Sequence, residues 1–339
     1  IAEHKLERVI QFADRIVHIN GEGIAKVGTP EEILIDSPIA PPIVHLARAL
    51  GLKEIGTTVR QMRRLTTEFR ELPVRDNKHQ ESKQLTEAIS FKDVTITYGN
   101  TKALNGVSSQ IFMGEIVAIM GRNGAGKSSL LKALAGVNQV KAGTITVLER
   151  DPFGLEGNER RESIGFIPQE PSDLLYGQSV GVECEQADAD NGVAPGTTLA
   201  VLEQLVSGVS INTHPRDLSE GQRLALALSV VLSSNPSILI LDEPTRGLDY
   251  QAKNELTRML LTFAQTFERA VVLATHDVEL VAELASRVIF IADGEIVADG
   301  STLDVLLSSP AFAPQVAKVM SPQPWLRVKD VIAAIEELR

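Results

Sequence analysis

The sequence is poor in cysteine, in positive charge and in long apolar runs. Cys184 is the single cysteine among 339 residues, which excludes a disulfide-stapled scaffold and is typical of a reducing compartment. The longest apolar runs, around 224–232 and 288–292, fall short of the ~18 residues that a membrane-spanning helix needs. Lys and Arg number 33 against 44 Asp and Glu, a net charge of −11. This balance argues against a protein that works by neutralising nucleic-acid phosphates.

What is present is the composition of a folded globular chain. Hydrophobic residues make up 43% and charged residues 23%, a balance that a disordered chain does not have. The length predicts roughly two domains. Position 1 is Ile and no signal-peptide pattern follows it, so we expect the sequence to start within a longer protein.

An internal repeat supports this expectation. Ile1–Pro42 aligns without gaps on Leu273–Pro314, so that His4 falls on His276. Matched pairs are 272 positions apart (276 − 4 = 272; 310 − 38 = 272), and a constant offset over this distance argues against a chance match. We therefore expect residues 1–65 to be the C-terminal remnant of a first domain similar to the one that contains His276.

A charged, helix-prone stretch with few large apolar residues follows at 66–86. Its mixed charges predict a solvated linker. A basic arm for nucleic acid is the alternative interpretation of its arginines. The acids Glu68, Glu71 and Asp76 are interleaved with them, and this favours a solvated helix face.

Residues 87–308 have the pattern of a complete α/β domain. Short apolar runs at 115–120, 238–241 and 270–274 predict buried strands that alternate with helices. This alternation favours a largely parallel sheet with helices on its faces. Residues from about 170 to 236 contain no convincing strand and predict a helical subdomain. Residues 309–339 form a C-terminal extension.

The strongest motif is a phosphate-binding loop at Gly121–Ser128. It matches G-x-x-x-x-G-K-[ST] between a predicted strand and a predicted helix. Glycines let the backbone wrap closely around phosphates, and the helix N-terminus adds partial positive charge. We expect Lys127 to reach the β and γ phosphates and the Ser128 hydroxyl to bind Mg²⁺.

A second motif is a buried strand that ends in two carboxylates, Asp242 and Glu243. A carboxylate at the carboxyl end of a strand can hold Mg²⁺ at the sheet edge where ligands bind. Glu243, next in sequence, is suited to orient and deprotonate a water that attacks the γ-phosphate.

Together these motifs resemble the nucleotide-binding domain of the ATP-binding cassette (ABC) ATPases, with the P-loop fold of that family. LSEGQ at 218–222 is similar to the family signature LSGGQ. The resemblance implies ATP and Mg²⁺ as ligands, with catalysis by Glu243, His276, Gln169 and Lys127. It further implies Mg²⁺ contacts from Ser128, Gln169 and Asp242, a D-loop at Asp249, and ATP contacts from Tyr98, Gly121, Arg122, Asn123, Gly124, Ala125, Gly126, Lys127, Ser128 and Ser129.

In this family two domains pair head to tail, and each signature acts on the nucleotide of the other domain. The resemblance therefore implies that Ser219, Glu220, Gly221 and Gln222 act in trans, on nucleotide bound by a first domain of the parent chain or by a second copy. Glu220 replaces a glycine of the family pattern. Its carboxylate either points away from the triphosphate or weakens that site, and we favour the first.

Other segments, such as 244–250 and 182–188, resemble the fused ATPase subunits of energy-coupling-factor (ECF) importers, which take up vitamins, vitamin precursors or metal ions. This implies a peripheral ATPase at the cytoplasmic face of the membrane, bound to integral-membrane coupling and substrate-binding subunits. Asp173 and Glu183 are candidates to bind arginines of the coupling subunit. A tandem-ABC translation factor on the ribosome is the rival hypothesis, and a degenerate regulatory half is another. The sequence carries no pocket that identifies a solute.

Overall fold

The computed structural model describes residues 6–19, 23, 25–37, 39–72, 86–267 and 269–337. These divide into two compact units. The first unit comprises Ile1–Glu81, Asp249–Gln251 and Leu303–Arg339, and the second comprises Ser82–Leu248 and Ala252–Thr302. His4, which the repeat matches to His276, lies outside the described residues, as do residues 73–85 of the expected linker.

Strands and helices alternate along the chain. The described helices are α1 (Leu6–Val9), α2 (Pro30–Leu34), α3 (Pro42–Ala49), α4 (Val59–Leu65), α5 (Thr67–Arg70), α6 (Lys127–Leu134), α7 (Gly157–Ser163), α8 (Val180–Asn191), α9 (Thr197–Leu205), α10 (Glu220–Leu232), α11 (Tyr250–Phe267), α12 (Val278–Leu284), α13 (Thr302–Leu307), α14 (Gln315–Met320) and α15 (Val328–Glu336). The described strands are β1 (Ile16–Ile19), β2 (Ala25–Gly28), β3 (Glu87–Tyr98), β4 (Thr101–Phe112), β5 (Ile116–Met120), β6 (Ala142–Val147), β7 (Ile164–Ile167), β8 (Ile238–Asp242), β9 (Ala270–Ala274), β10 (Arg287–Ala292) and β11 (Glu295–Ser301).

The second unit is built around a six-stranded sheet in the order β11-β10-β5-β9-β8-β7. All neighbouring strands are parallel except β10 and β11. Every residue of β5, β8 and β9 is buried, as expected for central parallel strands that are covered on both faces. The predicted α/β class with a mixed sheet is confirmed.

A separate antiparallel sheet, ordered β4-β3-β6, was only partly predicted. The alternating pattern indicates β3, but β4 and β6 lack a clear period. The pairing of β3 with β4 shifts register between Phe91 and Val94, and Gly106 has a left-handed φ of 64°. Bulges of this kind break the alternation on which a sequence-based assignment depends.

The segment between Pro168 and Pro236 is helical, as the sequence predicts. It contains α8, α9, α10 and two short 3-10 turns, at Pro171–Leu174 and Pro215–Asp217. A small core of its own holds the helices together, made of Val180, Cys184, Leu202, Leu218, Ala225 and Leu226.

In the first unit, α3, α4, α14 and α15 share one hydrophobic core. Helix α3 packs against α14 and α15, while α14 also packs against α4. The 272-residue offset places Pro42, the first residue of α3, on Pro314, the N-cap of α14 (314 − 42 = 272). It also overlays most of α4 on α15, so the α3–α15 and α14–α4 contacts are equivalent under the repeat.

The repeat extends to strand register. Ile16 pairs with Gly28 in the β1–β2 hairpin, and Val288 pairs with Gly300 in the β10–β11 hairpin. Both residues of the second pair lie 272 positions beyond those of the first (288 − 16 = 272; 300 − 28 = 272). The two hairpins share this register over three residue pairs, up to the shift between Phe290 and Ile291 in β10–β11.

The first residues of the predicted solvated linker, 66–72, contact the core of the first unit in the structure. Thr66 is fully buried, and Phe69 and Leu72 pack against the core of the first unit. The Gln323 side-chain amide donates hydrogen bonds to the carbonyl oxygens of Arg70 and Leu72, at 2.6 and 2.8 Å. Residues 66–72 are therefore packed on one face, while Thr67, Glu68 and Glu71 stay exposed as a solvated linker predicts.

Asp188 of α8 ties that helix to α9. Its carboxylate accepts hydrogen bonds from the Thr198 N–H and hydroxyl and from the Gly196 N–H, at 2.6 to 2.8 Å. Burial raises the pKa of this carboxyl, but these hydrogen bonds outweigh burial and hold the pKa below its usual range. The stability that the carboxylate provides is therefore lost as the pH falls through this lowered value.

We predict that Asp188→Ala lowers the free energy of unfolding at pH 7 by about 1–3 kcal/mol, because the buried donors lose their acceptor. Urea denaturation would measure the loss. The control is Asp190→Ala on the exposed side of the same helix, which should change stability by less than about 0.5 kcal/mol. Equal effects of the two substitutions would contradict the assigned role.

Candidate functional site

The loop at 121–126 connects β5 to α6 and has backbone conformations that require glycine. Gly126 has a φ of 107°, and a Cβ at this position would collide with the carbonyl oxygen of Ala103. Lys127 is 7% exposed, and its ammonium group donates to the carbonyl oxygens of Gly121 and Arg122, at 3.0 and 3.2 Å. The loop is thus a glycine-rich turn that holds a buried cation at the start of a helix.

The other residues of the motif differ in their exposure to solvent. Arg122, Asn123 and Gly124 are exposed, Ala125 is buried, and Ser128 and Ser129 are half-buried in the first turn of α6. Backbone N–H groups in the first turn of a helix have no partner within the helix and are available to an anion.

Parallel strands bring four of the predicted residues to one edge of the sheet. From β5, which leads into the loop, the order runs through β9, β8 and β7. His276 follows β9, Asp242 and Glu243 lie at the end of β8, and Gln169 follows β7. The carboxyl ends of adjacent parallel strands meet at the edge where α/β proteins bind their ligands.

Asp242 has the environment of a metal ligand. It is 2% exposed, and its Oδ1 atom is buried without a hydrogen-bond partner. Burial raises the pKa of this carboxyl, and the neighbouring Glu243 charge adds to the rise. A hydrogen bond from Ser128 and the charges of two lysines oppose it. A buried carboxylate oxygen with a free lone pair next to a serine hydroxyl fits the oxygen ligands that Mg²⁺ prefers.

Glu243 and His276 form a hydrogen-bonded pair. Oε2 of Glu243 lies 2.8 Å from Nδ1 of His276, with the glutamate side chain 11% and the histidine side chain 53% exposed. Glu243 has a φ of 50°, in the left-handed region, and its N–H donates to the carbonyl oxygen of Ala274 at 2.8 Å. A glutamate held in this conformation is strained by about 1–3 kcal/mol, which is typical of functional sites.

A cavity of about 340 Å³ adjoins these carboxylates. Gln169, Asp242 and Glu243 line it, as does Glu220. Arg246 and Glu170 also line this cavity and form an ion pair at 2.5 Å. The structure thus brings Gln169, which is distant in sequence, to one cavity with the two carboxylates.

The signature segment begins α10 with a capping box. The Ser219 hydroxyl accepts from the Gln222 N–H, and the Gln222 side-chain oxygen accepts from the Ser219 N–H. Gly221 lies close to α11, since a Cβ on it would be 3.2 Å from Cβ of Ala252. Small size at position 221 therefore allows two helices to approach.

Glu220, the departure from the family pattern, has a cationic partner. Its Oε1 lies 2.9 Å from Nη1 of Arg223, and a Cβ on Gly247 would be 3.0 Å from its Cγ. Arg223 also donates to the carbonyl oxygens of Arg216 and Leu218. The arginine offsets the negative charge that Glu220 adds to the signature.

The remaining predicted residues lie elsewhere. Tyr98 is 51% exposed, and its hydroxyl accepts a hydrogen bond from Nδ2 of Asn138 at 2.9 Å. Asp249 is exposed and belongs to the first unit, unlike the other predicted residues.

A second cavity, of about 580 Å³, lies in the helical segment. Asp173, Arg216 and the 83% exposed Tyr176 line it. Glu183 was expected to share the role of Asp173, but it is 6% exposed. Its Oε2 accepts from the N–H groups of Tyr176 and Gly177, at 2.8 and 2.5 Å. Glu183 therefore stabilises the loop that contains Tyr176 and Gly177. Of the two acids predicted to bind the coupling subunit, Asp173 is the exposed one.

Several residues at or near the site were missed by sequence reasoning, among them Asn138, Arg223, Arg246 and Lys253. Except for Arg223, each acts through a contact that no local pattern signals. Arg223 alone had a usable signal, because it follows Glu220 by three positions on a helix, where opposite charges meet.

Comparison with known proteins identifies the family. The ABC transporter family model matches residues 104–246. A protein from Clostridium tetani named as an ABC transporter ATP-binding protein is 30% identical over 94% of this chain and 73% of its own length. The chain belongs to the ABC transporter ATP-binding family. A similarly named Streptomyces coelicolor protein is 43% identical over 99% of this chain, and the chain spans 65% of the length of that relative.

Solved structures of ABC cassettes share the fold. The dimeric post-hydrolysis state of the cassette MJ0796, bound to ADP and Pi, is 26% identical with a TM-score of 0.58 and covers 63% of this chain and 98% of its own. The cbiO1 protein of Clostridium perfringens, part of the ABC transporter complex cbiONQ, is 25% identical with a TM-score of 0.57 and covers 74% of this chain and 99% of its own. Members of the family bind ATP, normally with Mg²⁺, and hydrolyse it. Among the described helices, none has the length and apolar character that crossing a membrane requires.

The raised pKa of Asp242 generates a stability prediction. Because the folded-state pKa lies above the unfolded-state value, the ionised carboxylate lowers stability. This penalty appears as the pH rises through the unfolded-state pKa, and it is fully present above the folded-state pKa. Asp242→Asn should therefore raise the melting temperature of the nucleotide-free protein at pH 7.5 by about 2–4 °C.

Differential scanning calorimetry at several pH values would measure this shift, and the gain should shrink at acidic pH, where Asp242 is protonated. The exposed Asp173→Asn variant is the control and should leave the melting temperature unchanged. A loss of stability in Asp242→Asn at pH 7.5 would show that the carboxylate is satisfied within the protein.

Proposed function

We propose that this protein hydrolyses ATP at its 121–128 loop and that the cycle of binding and hydrolysis drives a membrane transporter. The observation that carries the proposal is the Glu243–His276 pair at 2.8 Å. It lies beside the unsatisfied Asp242 oxygen, at the ends of β9 and β8, which are the next two strands of the sheet after β5, the strand that leads into the loop.

Each residue has a role in this reaction. Lys127 and the loop N–H groups bind the phosphates, while Ser128, Asp242 and Gln169 would hold Mg²⁺, which supplies charge neutralisation at the β and γ phosphates. Glu243 takes a proton from a water that attacks the γ-phosphorus, and the bond to the bridging oxygen breaks to release ADP and phosphate. His276 orients the Glu243 carboxylate. Tyr98, at the end of β3, provides a stacking surface for adenine.

We further propose that the signature residues Ser219, Gly221 and Gln222 act on nucleotide bound by a second ABC domain, as in head-to-tail pairs of this family, with Asp249 as the D-loop residue. The solved MJ0796 relative is dimeric. The β1–β2 and β10–β11 hairpins share their register over three residue pairs, and this supports the interpretation of residues 1–65 as part of another ABC domain, with residues 309–339 as an extension of the complete domain.

The transporter we propose is an importer of the ECF type for a vitamin, a vitamin precursor or a metal ion. The similarity to cbiO1, part of the cbiONQ transporter complex, supports this choice. The names of the relatives favour a transporter over a translation factor. Asp173 and Tyr176, at the 580 Å³ cavity, are positioned to bind cytoplasmic helices of an integral-membrane coupling subunit, with Asp173 accepting from arginine.

We predict that Glu243→Gln retains ATP binding but lowers phosphate release at its own site by at least about 10²-fold, because an amide cannot accept the proton. The measurement is single-turnover phosphate release in the intact protein, with the catalytic carboxylate of the second site removed. Glu203→Gln, exposed on α9, should leave the rate unchanged. Near-wild-type release from Glu243→Gln would refute the assignment.

We predict that Asp173→Arg abolishes copurification with membrane subunits while ATP hydrolysis by the isolated protein stays unchanged, because the substitution repels the arginines of the partner. Affinity purification from membranes, followed by mass spectrometry, would test this and would identify the substrate-binding subunit. Recovery of ribosomes in place of membrane proteins would support the translation factor instead. The charge-preserving Asp173→Glu variant is the control.

A further inference from the structure

Lys253, on the first turns of α11, contacts the segment that carries His276. Its ammonium nitrogen lies 2.6 Å from Oδ2 of Asp277, the residue next to His276. The lysine side chain is 23% exposed and the aspartate side chain 11%. Exposed ion pairs contribute little to stability, but this pair is mostly removed from water and its geometry is correspondingly restricted.

Two further hydrogen bonds fix Asp277, and a third anchors Thr275, on the other side of His276. Its Oδ1 accepts from the Leu280 N–H and caps α12, and its N–H donates to the Thr275 hydroxyl. Thr275 is fully buried, and its N–H donates to the carbonyl oxygen of Ile119 in β5. His276 is therefore flanked on both sides by anchored residues, and one of the anchors is the ion pair to Lys253.

The same turns of α11 also contact the signature. Ala252, the neighbour of Lys253 in sequence, lies against Gly221. Two adjacent residues of one helix thus make both contacts: Ala252 contacts the signature, and Lys253 contacts the histidine segment. In the proposed pair of domains the signature serves the opposite nucleotide, so α11 connects residues that act at different ATP sites.

We propose that Lys253 is a positioning residue for hydrolysis: through Asp277 it holds His276 against Glu243, and through α11 it links that pair to the signature. This inference rests on the proposed ATPase function. Without the lysine, the Asp277 carboxylate loses the cation that it contacts and gains by turning toward water. Such a turn displaces His276 and lengthens its 2.8 Å contact with Glu243.

The test is a double-mutant cycle with Lys253→Met, which keeps the apolar stem, and Asp277→Asn, which keeps an oxygen to cap α12. Each single variant should lower kcat by about ten- to hundredfold, as expected for a small displacement of a catalytic group. The dissociation constant for ATP should change less than twofold. The double variant should be no slower than the slower single variant, because both substitutions remove one interaction.

Lys253→Arg should restore at least half of the wild-type kcat, and Arg258→Met, on the exposed side of α11, should have no effect. Melting temperatures would be measured for all variants. The inference is overturned if kcat of Lys253→Met equals that of Arg258→Met, if the two single effects multiply in the double variant, or if ATP affinity falls in parallel with kcat.

Glu243→Gln is measured beside these variants as a test of the proposed function. If that variant remains active, the proposed function fails, whereas an inactive Glu243→Gln with an active Lys253→Met refutes only the role of Lys253.

Discussion

The parallel alignment of β5, β9 and β8 is the constraint on which the site depends. Parallel strands end at the same sheet edge, so His276 and the Asp242–Glu243 pair meet the phosphate loop there although the loop is more than a hundred residues away from both in sequence. The apolar strands are buried along their whole length. Their burial stabilises the frame, and the polar groups lie where each strand leaves the core.

This arrangement reduces stability at the site itself. Asp242 carries a buried oxygen without a partner, Glu243 has a left-handed backbone, and Lys127 is buried against carbonyl oxygens. Mg²⁺ would give the Asp242 oxygen a partner, and phosphates would give the buried Lys127 ammonium group an anion to bind. Ligand binding should therefore stabilise this site, since the ligand supplies the partners that the fold leaves out.

The sequence predicts those parts whose chemistry is local. The phosphate loop, the strand before Asp242 and the helical segment after Pro168 follow from residue type and period. The antiparallel strand β4 was missed because its bulges interrupt the alternation. The packing of residues 66–72 was missed because Gln323 lies about 250 positions away. Lys253 was missed for the same reason: its partner Asp277 is 24 positions distant, and no helical or strand period connects them.

The internal repeat shows that the burial of a strand depends on its neighbouring strands as well as on its own sequence. β1 and β10 occupy equivalent repeat positions and pair with their own hairpin partners in the same register. Ile289 is fully buried and Val17, its equivalent, is 60% exposed. β10 has the parallel neighbour β5 along its other edge, whereas β1 pairs only with β2 within the described residues. The difference in exposure between Val17 and Ile289 therefore accompanies a difference in strand neighbours, because β10 lies inside a six-stranded sheet and β1 lies in a two-stranded one among the described residues.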